Sequence, residues 1–394
     1  ELVLPSVLLS IIVKNNMGNI DGTITRMHKR IPSREGGVEI VVDELSARLV
    51  AKGYQVDAYN RSGYHVSGKE FDERRGKVYK GIRLITIPTF NHKKLNAIVY
   101  SFLATIRALF GGYDVIHYHA EGPCIMLWIP KLFGIPIVAT IHGLDWQRSK
   151  WGNFASKILK LGEETAARYA DEVIVLSQNV QTYFEETYQR KTVYIPNGIH
   201  RPKQYKPEII QEKYGLQGDD YILFVARIVP EKGIHYLIRA FYGIRTDKKL
   251  VIAGGSSHSP EYRDQIRAMA AKDKRIILTG FVQGKELAEL YSNAAIFVLP
   301  SDIEGMAISL LEAMSYGNCC LVSDIRENTE VVMDQAETFR KGDVEDLRKK
   351  LIELLENQSR RLALKKGSRD YICNRYNWDE VTAQTILLYE KVKK

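Results

Sequence analysis

Two glutamates mark the stretch of this sequence with the clearest chemical potential. Glu304 and Glu312 are separated by seven residues, and Gly305 permits a turn between them. We predict a helix from near Met306, with Glu304 in the loop before it and Glu312 about two turns inside an otherwise apolar helix. A carboxylate at a mostly buried helical position needs partners, and ribose hydroxyls or a structural arginine would both serve. The helix N-terminus beside Glu304 would also favour a phosphate.

Two cations lie at another predicted strand-to-helix corner. A buried strand ends at Arg227, Pro230 lies near a helix start, and Lys232 follows the arginine by five residues. A guanidinium offers forked donors and an ammonium offers a mobile point charge, which together suit a diphosphate. The alternative is a surface arginine and an ordinary lysine–glutamate pair.

Gly36 and Gly37 open a predicted helix earlier in the chain. Paired glycines let the backbone approach a phosphate, and the helix N-terminus supplies N–H donors. A plain tight turn between a strand and a helix would explain the same residues.

Three histidines end predicted strands in the first half of the chain. His117 and His119 share one face of their strand because side chains alternate, and His142 follows the next strand, three residues before Asp145. For His117, we favour a satisfied core histidine. For His119 and His142, which lie at strand tips, a structural and a functional role stay equally open.

The elements that must position these residues alternate between apolar runs and helix-like periodic segments. This alternation predicts an α/β fold with two Rossmann-like parallel-sheet domains facing across a cleft, because ligands bind beyond the carboxyl ends of parallel strands. We predict domains at 1–199 and 200–376, and a helix at 377–394 that packs back on the N-terminal domain. The first strand stays open between Val7–Val13 and Ile24–Ile31, because residues 14–26 fit neither strand nor helix.

The predicted strands that follow are listed here in chain order: Gln55–Tyr59, Ile82–Ile87, Val115–Tyr118, Ile135–Ile141, Val173–Leu176, Thr192–Ile195, Tyr221–Ala226, Lys249–Ala253, Ile276–Leu278, Ile296–Leu299 and Cys320–Ser323. The predicted helices of the first half are Val38–Lys52, Leu95–Phe110 and Phe154–Tyr169.

Composition narrows the class of protein. The 394 residues are 45% hydrophobic and 26% charged, which is ordinary for a globular chain with sizeable cores. The net charge of +9 fits either a solvated basic surface or an anionic partner, and no nucleic-acid-binding signature accompanies it. The four cysteines lack metal-ligand spacing, which favours a reducing, cytoplasmic location. The apolar opening segment is too short to span a bilayer and lacks signal-peptide features, so we expect membrane contact to be peripheral.

These motifs, in this order, resemble the retaining glycosyltransferases of family 4, which have the GT-B fold. The E-x7-E motif is matched by Glu304 and Glu312, and the Arg-x4-Lys motif by Arg227 and Lys232. The N-terminal Gly-Gly loop and the strand-tip histidine are matched by Gly36, Gly37 and His119. The resemblance runs from about His28 onward and points to a bacterial branch that assembles surface polysaccharides. Residues 14–26 depart from the smooth first strand of the family.

The resemblance implies a role for each motif. Arg227 and Lys232 would neutralise the donor diphosphate and the leaving group. Glu304 would touch the transferred sugar, Glu312 would bind the ribose, and His119 would contact the sugar near its reacting carbon. The other implied contacts are the backbone amides of Gly305, Met306 and Ala307 on sugar and phosphate, the Gly36-Gly37 loop on the phosphates, main chain near Phe281 and Val282 on the base, and His142 and Asp145 on the acceptor side.

The implied reaction moves a hexose-type sugar from a nucleoside diphosphate sugar to a glycan or lipid-linked acceptor, with retention of configuration. No Asp-x-Asp motif is present, so we expect no metal and no other cofactor. The predicted helix near residues 91–110 is apolar along one side and basic at its start, and it fits either peripheral contact with an anionic membrane at its inner face or an ordinary core-facing helix. The alternative functions are a nucleotide-sugar epimerase and a non-catalytic sugar-nucleotide binder. A dehydrogenase is disfavoured because no Gly-x-Gly-x-x-Gly follows a strand.

Overall fold

The computed structural model describes residues 22–28, 31, 36–62, 77–89, 96–148, 152–255 and 259–393. The chain divides into two compact units, one of Glu1–Gly198 with Trp378–Lys394 and the other of Ile199–Asn377. The candidate strand Val7–Val13 and the basic start of the helix near residue 91 lie outside the described residues.

The described part of the first unit contains an eight-stranded sheet in the order β3-β4-β2-β1-β5-β6-β7-β8. Its strands pair in parallel except for β3, which is antiparallel to β4 at one edge. The strands are β1 (Gly22–His28), β2 (Tyr54–Arg61), β3 (Val78–Tyr79), β4 (Ile82–Ile87), β5 (Ile116–His119), β6 (Ile137–Ile141), β7 (Glu172–Val175) and β8 (Val193–Tyr194). The helices are α1 (Gly37–Ala51), α2 (Asn96–Leu109), α3 (Glu121–Cys124), α4 (Trp128–Leu132), α5 (Asn153–Tyr169), α6 (Gln178–Tyr188) and, from the end of the chain, α15 (Trp378–Val392).

The second unit contains a six-stranded parallel sheet in the order β11-β10-β9-β12-β13-β14. The strands are β9 (Tyr221–Val225), β10 (Lys249–Ala253), β11 (Ile276–Gly280), β12 (Ile296–Leu299), β13 (Cys319–Ser323) and β14 (Glu337–Phe339). The helices are α7 (Ile209–Tyr214), α8 (Ile234–Tyr242), α9 (Pro260–Ala270), α10 (Gly284–Asn293), α11 (Ile308–Ser315), α12 (Arg326–Val332), α13 (Val344–Glu356) and α14 (Gln358–Arg375).

Both sheets are doubly wound, which confirms the predicted α/β class. In the second unit the strand order reverses between β9 and β12, and in the first unit it reverses between β1 and β5. Central strands such as β12 and β13 are buried along their whole length, which explains their continuous apolar sequences. The loops that follow the two strands at a reversal diverge to opposite sides of the sheet and leave a crevice at their carboxyl ends.

Several element predictions need correction. The first described strand, β1 (Gly22–His28), overlaps the candidate Ile24–Ile31 and begins two residues earlier. The expectation that residues 14–26 fit neither strand nor helix is therefore wrong for residues 22–26, because pairing with β2 outweighs their polar sequence. The segment after His119 is helical over Glu121–Cys124, although Gly122 and Pro123 are typical of a loop. The helix expected near Met306 begins at Ile308, because the Ala307 backbone is still extended, with φ −73° and ψ 106°. Glu312 therefore lies in the second turn of α11 and not two turns inside it.

Candidate active site

The candidate site of the second unit lies at the reversal between β9 and β12. These strands are hydrogen-bonded neighbours, with Ile296 in register with Ile222. Arg227 and Lys232 follow β9, whereas Glu304 follows β12. The topology therefore brings together two motifs that are more than 70 residues apart in the chain.

Lys232 and Glu304 make direct contact. Lys232 Nζ lies 2.5 Å from Glu304 Oε1, and Ser301 Oγ donates to the same oxygen at 2.7 Å. The two charged side chains are only 13% and 5% exposed. A buried ion pair is costly unless its geometry is good and further hydrogen bonds satisfy it, and Ser301 supplies one of these.

The backbone around this pair is tightly packed. Gly233 has φ +64°, and a Cβ atom there would lie 1.9 Å from the Pro300 carbonyl oxygen. The Asp302 N–H also donates to the Glu231 carbonyl at 2.9 Å. The turn that ends in Lys232 is thereby fastened to the loop that contains Glu304.

Sequence analysis missed two buried polar residues that support the loop containing Glu304 through hydrogen bonds. Ser323 Oγ donates to the Ser301 carbonyl at 2.6 Å, and the Asn328 amide donates to Ser323 Oγ at 3.1 Å. Ser323 is the last residue of β13 and Asn328 lies in the first turn of α12, and both are buried. Their sequence signal is their place at and shortly after the end of a buried parallel strand.

Tyr291 is a hydrogen-bond partner of Glu312 that sequence analysis did not identify. Tyr291 Oη donates to Glu312 Oε2 at 3.0 Å, and the Tyr291 ring stacks on Tyr316 with centroids 5.4 Å apart. Burial, followed by the nearby Glu312 carboxylate, raises the pKa of Tyr291 well above its ordinary value. The phenol therefore remains a hydrogen-bond donor at any physiological pH.

The other donor-site residues of this unit occupy two places. Gly305, Met306 and Ala307 form the buried link between Glu304 and α11. Phe281 and Val282 are half-buried and follow β11, which is the edge strand of the sheet and is separated from β9 by β10. The structure thus brings Lys232 and Glu304 together and places the Phe281–Val282 main chain at a different strand end.

A row of three histidines lies at the ends of two neighbouring strands of the first unit, where His117 and His119 belong to β5 and His142 follows β6. His117 and His119 stack with centroids 4.0 Å apart, and His119 Nδ1 lies 3.0 Å from His142 Nε2. Both nitrogens of His117 are hydrogen-bonded, to Tyr389 Oη at 2.7 Å and to Thr140 Oγ1 at 2.6 Å. This geometry agrees with the core role favoured for His117.

In the His119–His142 pair, burial keeps the His142 ring neutral. Burial lowers the pKa of His142 to about 4, against a smaller opposing effect of Asp145. Asp145 is itself paired with Arg148 at 2.8 Å. In the hydrogen bond between the two imidazoles, one nitrogen donates and the other accepts.

The glycine pair lies at the start of α1, at the same strand reversal as the histidines. Gly36 is the N-cap residue, with φ −144° and ψ 158°, and Gly37 is the first helical residue. A Cβ atom at Gly36 would lie 2.4 Å from the Glu39 carboxylate, so a larger residue would require Glu39 to move. Among the described residues, no three or more His, Cys, Asp or Glu side chains cluster so as to hold a metal ion.

Two doubly wound units, each with its polar groups at a strand reversal, are the architecture of GT-B proteins. Residues 35–201 match the family described as Glycosyltransferase Family 4, and residues 206–371 match Glycosyl transferases group 1. The chain is therefore a GT-B glycosyltransferase of the family 4 type.

Two relatives support this assignment, and one solved structure supports the fold. An uncharacterised glycosyltransferase of Methanocaldococcus jannaschii is 26% identical, over 91% of this chain and 95% of its own. The UDP-Gal:alpha-D-GlcNAc-diphosphoundecaprenol alpha-1,3-galactosyltransferase of Escherichia coli is 26% identical, over 67% and 72%. The crystal structure of Anabaena HepE in complex with UDP and glucose has a TM-score of 0.76 at 16% identity, over 93% of this chain and 98% of HepE.

Proposed function

We propose that this glycosyltransferase moves a hexose-type sugar from a nucleoside diphosphate sugar to a glycan or lipid-linked acceptor in surface polysaccharide biosynthesis, with retention of configuration. The observation that supports the proposal most is the buried contact between Lys232 and Glu304, braced by Ser301, at the strand reversal of the second unit. The E. coli relative, whose name specifies a lipid diphosphate acceptor, and the UDP-bound Anabaena structure support the substrate classes.

The reaction explains the charges of this site. Breaking a glycosyl–phosphate bond builds negative charge on the leaving diphosphate and positive charge on the sugar ring. Lys232 and Arg227 would stabilise the first, because fixed cations in a site that excludes water are effective electrostatic catalysts. Glu304 would contact the sugar, and Glu312, oriented by Tyr291, would bind the ribose hydroxyls.

The first unit would supply the groups near the reacting carbon and the acceptor. His119 and His142 form a hydrogen-bonded imidazole pair, and the His142 ring is neutral, so it can exchange hydrogen bonds with sugar hydroxyls without adding a charge. Gly36 and Gly37, at the start of α1, would hold phosphate oxygens through the backbone. Asp145 would act on the acceptor side, as would His142.

We also propose that turnover needs no metal and no other cofactor. Arg227 and Lys232 follow the same strand, β9, and can supply the positive charge that a divalent ion provides in other transferases. Metal dependence can be tested independently of the donor site, because a magnesium requirement would leave the assignment of that site unchanged.

A face of the first unit supports peripheral contact with an anionic membrane. Helix α2 packs on the core through Tyr100 and several small residues, such as Ala97 and Ala104, whereas Phe102 on its other side is 45% exposed. A helix that only faces the core would not need large apolar residues on its outer side. Helix α4 contacts both α2 and α5, and all three helices or their ends expose large apolar side chains. We name these residues the apolar face: Phe102, Leu103, Phe110, Trp128, Leu132, Phe133, Phe154 and Leu161.

Charge indicates what covers the apolar face. The exposed charged residues of α2, α4 and α5 are four cations, Arg107, Lys131, Lys157 and Arg168, and one acid, Glu164. Apolar side chains mixed with cations are typical of surfaces that rest on anionic lipid headgroups. Within the described residues, no helix is both long and apolar enough to cross a bilayer. We therefore propose that the enzyme lies at the inner face of the cell membrane, where lipid-linked acceptors are available.

Paired substitutions test the donor site. We expect Lys232→Ala and Glu304→Gln each to lower turnover by about 100-fold or more, because each removes a group that acts on charge in the transition state. The matched control is Lys349→Ala with Glu353→Ala, which breaks an exposed lysine–glutamate pair of the same unit. Circular dichroism verifies folding, and sugar release from a nucleoside diphosphate sugar gives the rate. Near-normal rates in both folded site variants would refute the assignment.

A further inference from the structure

A buried carboxyl cluster lies beneath the loop that follows His142. Glu121 is the first residue of α3 and is 1% exposed, and Glu163 of α5 is fully buried. Gly162 lets the two helices approach, since a Cβ atom there would lie 1.9 Å from the Glu121 carbonyl oxygen. The preceding residue, Ala120, is held at φ +72° and donates its N–H to Thr140 O at 2.8 Å, which fixes the step from His119 to Glu121.

The two carboxyl groups hold the same loop from below. Glu121 Oε1 accepts from the Asp145 N–H at 3.1 Å, and Glu163 Oε2 accepts from Trp146 Nε1 at 2.9 Å. Both contacts fall within the four residues after His142. The position of the His142 ring, and of the His119 ring bonded to it, thus depends on this anchoring.

The Glu163 and Glu121 carboxyl groups differ in the number of hydrogen bonds that they accept. Glu163 accepts from Trp146, Lys160, Tyr183 and Tyr188, with distances of 2.6–2.9 Å, which suits an ionised carboxylate. Glu121 Oε2 is buried and makes no hydrogen bond with any described residue, although Glu163 lies close enough to act on it. An ionised oxygen in that position would be uncompensated, whereas a protonated one can donate toward Glu163.

We infer that Glu121 is a positioning residue which, as a neutral carboxylic acid, holds the Gly143–Gln147 loop and through it the His142–His119 pair. The catalytic relevance rests on the proposed function of those histidines, but the state of Glu121 does not. Burial raises the pKa of Glu121 well above its ordinary value, and Asp145 and Glu163 add to the rise. The titratable or charged groups on the elements packed around Glu121 are these: Tyr100 and Arg107 of α2, His117, Tyr118 and His119 of β5, Cys124 of α3, His142, Asp145 and Arg148 after β6, and Lys157, Lys160, Glu163, Glu164, Arg168 and Tyr169 of α5.

An isosteric pair of variants separates this role from others. Glutamine has the shape of a protonated glutamic acid, so it can accept from Asp145 and donate toward Glu163. We expect Glu121→Gln to keep kcat and the donor KM within about threefold, and Glu121→Ala to lower kcat by about 10- to 100-fold with little change in donor KM, because small displacements of reacting groups are costly. Glu186→Gln, at an exposed position on α6, is the matched control. Equal losses in the Gln and Ala variants would overturn the inference and indicate an ionised, catalytic Glu121.

Two further readouts need no turnover. The native protein keeps the Glu121 proton above pH 4.5, where the unfolded chain has lost it, so the stabilising contribution of this group falls as pH rises. The melting temperature of Glu121→Gln relative to wild type should therefore increase from pH 5 to pH 8, and a constant difference would contradict a neutral Glu121.

By imidazole NMR, the pKa of His142 should stay near about 4 in wild type and Glu121→Gln and rise toward 6.5 in Glu121→Ala. An unchanged His142 pKa in a folded Glu121→Ala protein would show that Glu121 does not position the loop. If wild type transfers no sugar but these readouts hold, the proposed function fails and this inference stands.

Discussion

Gly233 permits the contact between Lys232 and Glu304. Its φ of +64° turns the chain between the short turn that ends in Lys232 and the start of α8. The absence of a side chain lets the Pro300 carbonyl approach within 1.9 Å of the position that a Cβ atom would occupy. A larger residue would have to push the turn away from the loop that contains Glu304.

We predict that Gly233→Ala lowers the free energy of unfolding by about 2–4 kcal/mol, from the left-handed backbone and the displaced carbonyl together. Gly284→Ala is the matched control, because Gly284 has φ +61° but no atom within 4 Å of its Cβ position. It should cost only about 1–2 kcal/mol, the backbone component alone. Urea unfolding of both variants measures the difference. Equal costs would contradict a packing role for Gly233.

Glu121 and Glu163 of the first unit show how much the sequence reveals about single buried residues. Glu163 could have been found, because Leu159, Glu163 and Ala166 recur at helical spacing on the buried side of α5. Glu121 offers no such signal, because α3 is short and contains Gly122 and Pro123. Its partners come from elements that are distant in sequence, and local patterns do not report those contacts.

At the scale of elements, apolar runs predicted most strands well. The bounds of β4, β10 and β12 agree residue for residue with the expected Ile82–Ile87, Lys249–Ala253 and Ile296–Leu299. The short edge strands Val78–Tyr79 and Glu337–Phe339 were missed, because two or three residues produce no period. Strand order depends on pairing over long sequence distances. The reversals that place His119 and Glu304 are therefore visible only in the fold.

The apolar face is formed by three helices, α2, α4 and α5, together with their ends. We predict that the wild-type protein floats with vesicles that contain anionic phosphatidylglycerol and not with purely zwitterionic ones. Reversing Arg107 and Lys157 to glutamate should weaken binding by on the order of tenfold or more, at about 1 kcal/mol per basic residue near the surface.

The matched control for flotation is Lys272→Glu with Lys349→Glu, two exposed lysines of the second unit. It changes the net charge equally but leaves the apolar face intact. Equal flotation of the two double variants, or none with wild type, would contradict membrane contact at this face. Concentration-dependent self-association of wild type without lipid binding would instead assign the face to a second copy of the chain.

At the scale of the whole molecule, the chain passes between its units twice, and the two passages run side by side. Ile199 bridges Asn377 in the parallel direction, and the Ile199 N–H donates to Tyr376 O at 2.7 Å. Beyond this point α15 packs on α1 and β6, and its Tyr389 bonds to His117. The last helix thus supports the histidine row of the first unit, although it follows the second unit in sequence.

We propose that the strand reversal of the second unit binds a nucleoside diphosphate sugar through Lys232 and Glu304. Thermal unfolding tests this claim with a panel of nucleoside diphosphate sugars and NAD, each with and without magnesium, on wild type and Lys232→Ala. We predict that at least one nucleoside diphosphate sugar raises the melting temperature of wild type equally with and without magnesium, and that Lys232→Ala loses this rise. Stabilisation by NAD alone, or an undiminished rise in Lys232→Ala, would contradict the claim.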